Sequence, residues 1–216
     1  MTAICLSVFL YDDGIPSLLK RISPKEPDLI EYRLDYLTEF SGLETVVKSK
    51  GCPIIATDRS CRKQSRTLLL TAAEIGFDLI DVDISFPFAR SIIKQLRTHD
   101  VRVIASHHDS RKTPPEKRLI QLSQIERKMG GDICKIVTTA TQPADNLSIL
   151  GFINKCSRLT KIVSFAMGNL GIASRVLSPF FGAEFTFASI DDQSKTAEGQ
   201  ISIDDLRRIW KNLGIA

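Results

Sequence analysis

Lys135 stands in the middle of Asp132-Ile133-Cys134-Lys135-Ile136-Val137-Thr138-Thr139, a run that otherwise reads as a fully buried strand. An ammonium taken out of water must be paired or give up its proton, so a lysine here is either a strand-edge charge or a chemical tool. A lysine that gives up its proton is a nucleophile able to condense with a ketone. A second candidate run, Leu29-Ile30-Glu31-Tyr32-Arg33-Leu34-Asp35, puts Glu31, Arg33 and Asp35 at period two on one face of a strand. Two of the three histidines, His107 and His108, follow Ser106 at the end of another apolar run. Adjacent residues of an extended segment point in opposite directions, so the pair does not readily share a metal, and one of them suits general acid–base work near neutral pH. Arg59 ends a third run in a basic stretch, and Arg175 follows a two-glycine turn around Gly168 and Gly171 into a helix; either could receive an anion. For the charged strand a mutually paired polar layer competes with a substrate site, and for Arg59 a solvated loop competes with an anion contact.

Such residues act together only if a fold gathers them. Apolar, β-rich runs at 3–10, 29–35, 53–57, 79–84, 101–106, 133–138, 161–166 and 184–189 alternate with helical patterns at 17–21, 42–49, 65–75, 88–99, 115–129, 144–156, 170–178 and 203–213. Eight strands each followed by a helix in 216 residues predict a compact (β/α)8 barrel of the α/β class, near the lower size limit of that fold. The alternative, an open doubly wound sheet, lacks its Gly-rich phosphate turn, since Leu10 to Gly14 contains no G-x-G-x-x-G. No linker divides the chain, so residues 1–216 read as one domain. In such a barrel the active site lies at the C-terminal ends of the strands, where Lys135, His108, Arg33, Arg59 and Met167 fall. With Lys135 in the lumen, Cys134 and Ile136 face the helices, and Arg33 or Arg59 is expected near its ammonium. The polar stretch 191–200 reads as a mobile flap before the last helix.

Composition removes several function classes. The 29 basic and 25 acidic side chains give a formal charge of +4, spread along the chain, without the dense basic stripe of a nucleic-acid binder. The five cysteines are odd in number and widely spaced, which predicts reduced thiols, a cytoplasmic protein and no structural zinc. The N-terminal apolar run is interrupted by Asp12 and Asp13 and has no basic flank, so neither a membrane span nor a signal peptide is expected.

Across nearly the whole chain the sequence resembles type I 3-dehydroquinate dehydratase. The resemblance rests on Glu31-x-Arg33-x-Asp35, Ser106-His107-His108-Asp109 with Lys112-Thr113-Pro114, Gly131-Asp132-Ile133-Cys134-Lys135-Ile136, Met167-Gly168 with Ser174-Arg175, and Ala197-Glu198-Gly199-Gln200-Ile201-Ser202. It implies a barrel hydro-lyase that converts 3-dehydroquinate to 3-dehydroshikimate in the shikimate pathway, with no metal or redox cofactor and a homodimeric state. It further implies that Lys135 forms an imine with the substrate ketone and that His108 removes the adjacent proton and then protonates the departing hydroxyl. Arg175 would hold the carboxylate, Glu31, Arg33, Arg59, Thr196 and Gln200 would bind hydroxyls and carboxylate, and Met167 would pack on the ring. Asp35 and Asp81 would be supporting. Four positions depart from the family pattern: Lys63 where a glutamate is common, Glu198 in place of the flap proline, Thr196 in place of serine, and Phe165 in place of a methionine. They are expected to bear on flap stiffness and rate. A Schiff-base aldolase on the same barrel and a binding module that has lost catalysis are the competing readings.

Overall fold

A computed structural model describes residues 2–11, 14–37, 40 and 42–215. Asp12 and Asp13, and both chain ends of the expected domain, lie outside the described residues. The strands are β1 (Ile4–Phe9), β2 (Leu29–Arg33), β3 (Ile54–Thr57), β4 (Leu79–Asp83), β5 (Arg102–His108), β6 (Ile133–Thr139), β7 (Lys161–Met167) and β8 (Thr186–Ala188). The helices that alternate with them are α1 (Ile15–Ile22), α2 (Leu43–Lys48), α3 (Ser65–Ile75), α4 (Ala89–Leu96), α5 (Glu116–Met129), α6 (Asp145–Cys156), α7 (Ile172–Leu177) and α8 (Ile203–Asn212). The sheet runs β7-β6-β5-β4-β3-β2-β1-β8, every pairing parallel. Glu184 N–H, just before β8, donates to Ile162 O of β7 at 2.8 Å and brings the two ends of the sheet together. This is the (β/α)8 barrel that the alternating runs predict.

Period two divides each strand between helices and lumen. Outward residues such as Ile30, Tyr32, Ile80, Val82, Val103 and Ala105 join the helices in one apolar cluster. Cys134 and Ile136 do the same under α5 and α6, as expected for a lumenal Lys135. Inward residues form a separate apolar plug, including Cys5, Ile55, Leu79, Ile104, Ile133, Val163 and Phe185. Above that plug, toward the C-terminal ends, the next inward positions are Ser7, Glu31, Thr57, Asp81, Ser106 and Lys135, all buried. One barrel interior thus holds an oily floor and a charged layer resting on it.

Most element ends fall within a few residues of the sequence reading, and two of the differences bear on the site. Strand two ends at Arg33, and Asp35 lies in a 3₁₀ turn, Leu34–Tyr36, so Glu31, Arg33 and Asp35 do not share one strand face. With Asp35 in this turn, its carboxylate meets Arg33 in a bidentate contact at 3.0 and 2.7 Å. Strand five runs on through His108, beyond the Ser106 end expected, because His107 and His108 continue the ladder opposite Ile136 and Val137.

Candidate active site

Parallel pairing sets the heights of the lumenal side chains. Ser7 pairs with Glu31, Thr57 with Asp81, Asp83 with Ser106, and Ser106 with Lys135. Lys135 is 3% exposed, and its Nζ donates to Glu31 Oε1 at 3.0 Å and Asp81 Oδ2 at 2.8 Å, while lying 4.2 Å from the centre of the Phe187 ring. The expected cationic neighbour is present, since Arg59 Nη2 donates at 2.9 Å to the same Asp81 oxygen that Lys135 reaches. What the strand pattern did not anticipate is the pair of carboxylates that flank the ammonium directly. Strand periodicity places a charge in the lumen but does not say which opposite strand reaches it.

The carboxylates are themselves fully engaged. Glu31 accepts from Ser7 Oγ at 2.5 Å and Thr57 Oγ1 at 2.9 Å; Asp81 accepts from Ser106 Oγ at 2.5 Å. Burial opposes the Glu31 charge, yet Lys135, Arg33 and the Ser7 hydroxyl hold its pKa down at about 2. For Asp81, Arg59 and Lys135 likewise overcome burial and keep the carboxyl ionised. The charged layer is thus a satisfied network, as a buried polar cluster must be if it is not to cost several kcal/mol per orphaned group.

His108, at the end of β5, presents Nδ1 to Asp83 Oδ2 at 3.3 Å. Burial, with Arg59 and Lys135 nearby, lowers its pKa to about 4 and outweighs the opposite pull of Asp83. It is neutral at physiological pH, as a proton acceptor must be. Asp83 also accepts from Arg59 Nη1 at 3.0 Å, and the Ser85 N–H and hydroxyl at 2.9 and 2.7 Å.

Arg175, carried by α7, is 1% exposed, and its Nε and Nη2 have no hydrogen-bond partner among the described residues. Its guanidinium lies 4.1 Å from the Phe165 ring centre, and burial pulls its pKa down to about 9. A buried guanidinium with donors in this state has the chemistry to receive an anion. The stretch expected to be a flap closes this side. Thr196 N–H donates to Gln200 Oε1 at 2.7 Å, Thr196 Oγ1 donates to Ser7 Oγ at 2.8 Å, and Gly168 N–H donates to Glu198 O at 3.3 Å. Gly199 has φ +72°, and a Cβ there would sit 2.4 Å from Gly168 O, so only glycine allows the loop to approach β7 this closely.

These groups surround one cavity of about 430 Å³, lined among others by Glu31, Arg33, Arg59, His108, Lys135, Met167, Arg175, Thr196 and Gln200. Its size suits a small ring compound. Of the residues singled out in the sequence, Asp35 and Asp81 do not line it; they brace Arg33 and Lys135. Lys63 is exposed and outside it, whereas Glu198 is on its rim. Sequence reasoning missed Ser7, Thr57, Asp83 and Phe187. Asp83 was detectable, since Asp81-Val82-Asp83 repeats at period two, whereas Ser7 and Thr57 carry no signal until their strands are paired with β2.

The model of the family described as type I 3-dehydroquinase matches residues 4–216. The 3-dehydroquinate dehydratase of Dehalococcoides mccartyi is 38% identical over 192 residues, covering 85% of each chain. That of Methanocaldococcus jannaschii is 31% identical over 223 residues, 96% of this chain and 97% of the relative. The crystal structure of 3-dehydroquinate dehydratase from Geobacillus kaustophilus superposes with a TM-score of 0.87 at 26% identity, over 99% of this chain and 91% of that one. With the family model matching from residue 4 to residue 216, a span that includes all eight strands, and relatives above 30% identity covered over most of their length, the chain belongs to the type I 3-dehydroquinase family.

Proposed function

We propose that this barrel dehydrates 3-dehydroquinate to 3-dehydroshikimate, the shikimate-pathway step, through an imine on Lys135. The observation that carries the reading is a lysine held between two carboxylates, facing the same cavity as a neutral histidine and a buried arginine with unused donors.

The substrate carboxylate enters the Arg175 pocket, where it meets a cation that burial has left without a counter-charge. That contact orients the ring so that its ketone faces Lys135. Nζ passes a proton to neutral His108 and adds to the carbonyl carbon, the carbinolamine oxygen takes up that proton and leaves as water, and a protonated imine forms. The iminium withdraws electrons from the adjacent carbon, and His108 removes its proton to give an enamine. The enamine electrons then expel the β-hydroxyl, which takes its proton from His108, so one histidine serves both halves of the elimination. Water hydrolyses the imine and returns Lys135. Glu31 and Asp81 balance the iminium charge. Arg33, Arg59, Thr196 and Gln200 offer donors to hydroxyls and carboxylate, and Met167 packs on the ring. A phosphorylated aldolase substrate fits less well, because the anion receptor is one enclosed guanidinium suited to a carboxylate.

The test is direct. Incubation with 3-dehydroquinate and borohydride should leave a reduced adduct on Lys135 by mass spectrometry, and enone absorbance should rise without borohydride. Absence of both overturns the reading. The same family resemblance supports a cytoplasmic homodimer without nucleic-acid or membrane partners, for which sedimentation is the check. No helix among the described residues is long and apolar enough to cross a membrane.

A further inference from the structure

We infer that Asp83 is the positioning residue for His108: it holds the neutral ring as the Nδ1–H tautomer, so that Nε2 is the atom that exchanges protons with substrate. The inference rests on the assignment of His108 as the base, and deepens it by fixing which nitrogen acts and what orients it.

The geometry has three parts. Nδ1 of His108 is fully buried, and the acceptor next to it is Asp83 Oδ2 at 3.3 Å. The angle falls short of an aligned hydrogen bond, while the distance keeps Asp83 as the acceptor facing that nitrogen. Asp83 itself cannot swing away, because the Ser85 N–H and hydroxyl fix its Oδ1 and the Arg59 guanidinium fixes its Oδ2. Finally, His108 lines the cavity and keeps about 25% of its side chain exposed although Nδ1 is buried.

A neutral imidazole has one N–H and one lone pair, and the partner of one nitrogen decides the state of the other. A carboxylate beside Nδ1 accepts and cannot donate. It therefore keeps the proton on Nδ1 and the lone pair on Nε2. Lys63, where relatives commonly carry glutamate, is exposed on the turn after β3 and does not line the cavity, so the carboxylate that His108 meets comes from β4. The charged groups around the ring are Arg59 from β3, Asp81 and Asp83 from β4, and Lys135 from β6. Among them only Asp83 is within ion-pair distance.

Two measurements test this. In the unmodified protein, long-range ¹H–¹⁵N correlation of the His108 ring at neutral pH should give the Nδ1–H pattern; an Nε2–H pattern overturns the proposal whatever any variant does. In Asp83→Asn, kcat should fall about 10- to 100-fold with KM changed less than about threefold, part of the ~10²–10⁴ that a positioned acid–base group contributes. Its acid limb should move to lower pH, because the one carboxylate favouring the imidazolium at contact distance is gone. Borohydride trapping on Lys135 should persist, which shows the barrel intact, and Asp83→Glu should recover part of kcat. Wild-type kcat with an unmoved pH profile in Asp83→Asn overturns the inference. Full activity in His108→Ala would instead remove the base assignment on which it rests, so the two failures are distinguishable.

Discussion

The two ends of the barrel use the same side chains for opposite purposes. At the N-terminal face, Asp28, Asp78 and Asp132 each stand one residue before an even-numbered strand. Each accepts a backbone N–H from the preceding odd strand: Ile4 at 2.8 Å, Ile54 at 2.9 Å and Val103 at 2.8 Å. These carboxylates are at least partly solvated, and two of them also meet surface cations, Lys50 and Arg97. At the C-terminal end, Glu31, Asp81 and Asp83 are buried and spend their oxygens on Lys135, Arg59, His108 and hydroxyls. A carboxylate at the floor finishes a ladder that would otherwise leave a strand N–H unpaired. At the mouth it sets the charge of a reacting group. Removing one from the floor should therefore lower stability without touching chemistry, and disturbing the mouth should do the reverse or couple the two.

The largest contrast is expected for Lys135→Met. Turnover should fall by at least about 10⁴-fold, since nucleophile and electron sink disappear together. Glu31 and Asp81 lose their shared cation, so denaturant unfolding near pH 7 should show a loss on the order of 3 kcal/mol. That loss should shrink as pH falls and the orphaned carboxyls take up protons. A variant as stable as wild type at pH 7 would mean that the layer tolerates an unpaired charge, and the comparison would fail.

Arg175→Met separates function from stability in the opposite sense. KM should rise by about 10²-fold or more when the carboxylate receptor is lost, as removal of a buried charged partner typically costs 2–5 kcal/mol of binding. The free protein should keep or raise its Tm, because the removed group is a buried cation whose Nε and Nη2 have no hydrogen-bond partner among the described residues.

The pH dependence of kcat/KM gives a third measure. His108 has its pKa lowered to about 4, so the base is unprotonated above that value and activity should fall as pH drops through it. Stability behaves differently across the same range. Glu31, held at about 2, contributes stability that is present above the ordinary carboxylate pKa and lost as pH falls toward 2. Circular dichroism recorded beside the rate separates the two acid effects.

The smallest effects belong to the floor. Asp28→Asn, Asp78→Asn and Asp132→Asn should each cost about 1 kcal/mol, a Tm drop of roughly 2–4 °C, with kcat and KM unchanged. The three sites are on separate strand pairs, so their effects should add. A tenfold loss of kcat in any of them would blur the division between the two ends.

How much of this the sequence carries depends on the range of the interaction. Eight apolar runs with period two identify the strands and their inward faces, because alternation is a local property of the chain. Lys135, Glu31 and Arg33 fall on the lumen for that reason alone. Asp35 was misplaced because the apolar alternation continues past Arg33 while the backbone turns into a 3₁₀ segment at Leu34, and strand pattern is blind to that. The recurrence of Asp-Leu-Ile at 28–30 and 78–80, with Asp-Ile-Cys at 132–134, is visible in the sequence but has no meaning until the strand ends are paired.

The sequence by itself determined the alternation of strands and helices, the barrel it closes into, and a family resemblance that singles out Lys135, His108 and Arg175. Tertiary structure decided the company each of them keeps. It added two carboxylates beside Lys135 to the cation expected there, gave His108 an aspartate from β4, and set Arg175 against Phe165 with no partner for Nε or Nη2 among the described residues. The reason is physical. Facing is fixed by the two-residue period of one strand, whereas partnership depends on register and distance across the lumen, between residues as far apart in the chain as Glu31 and Lys135.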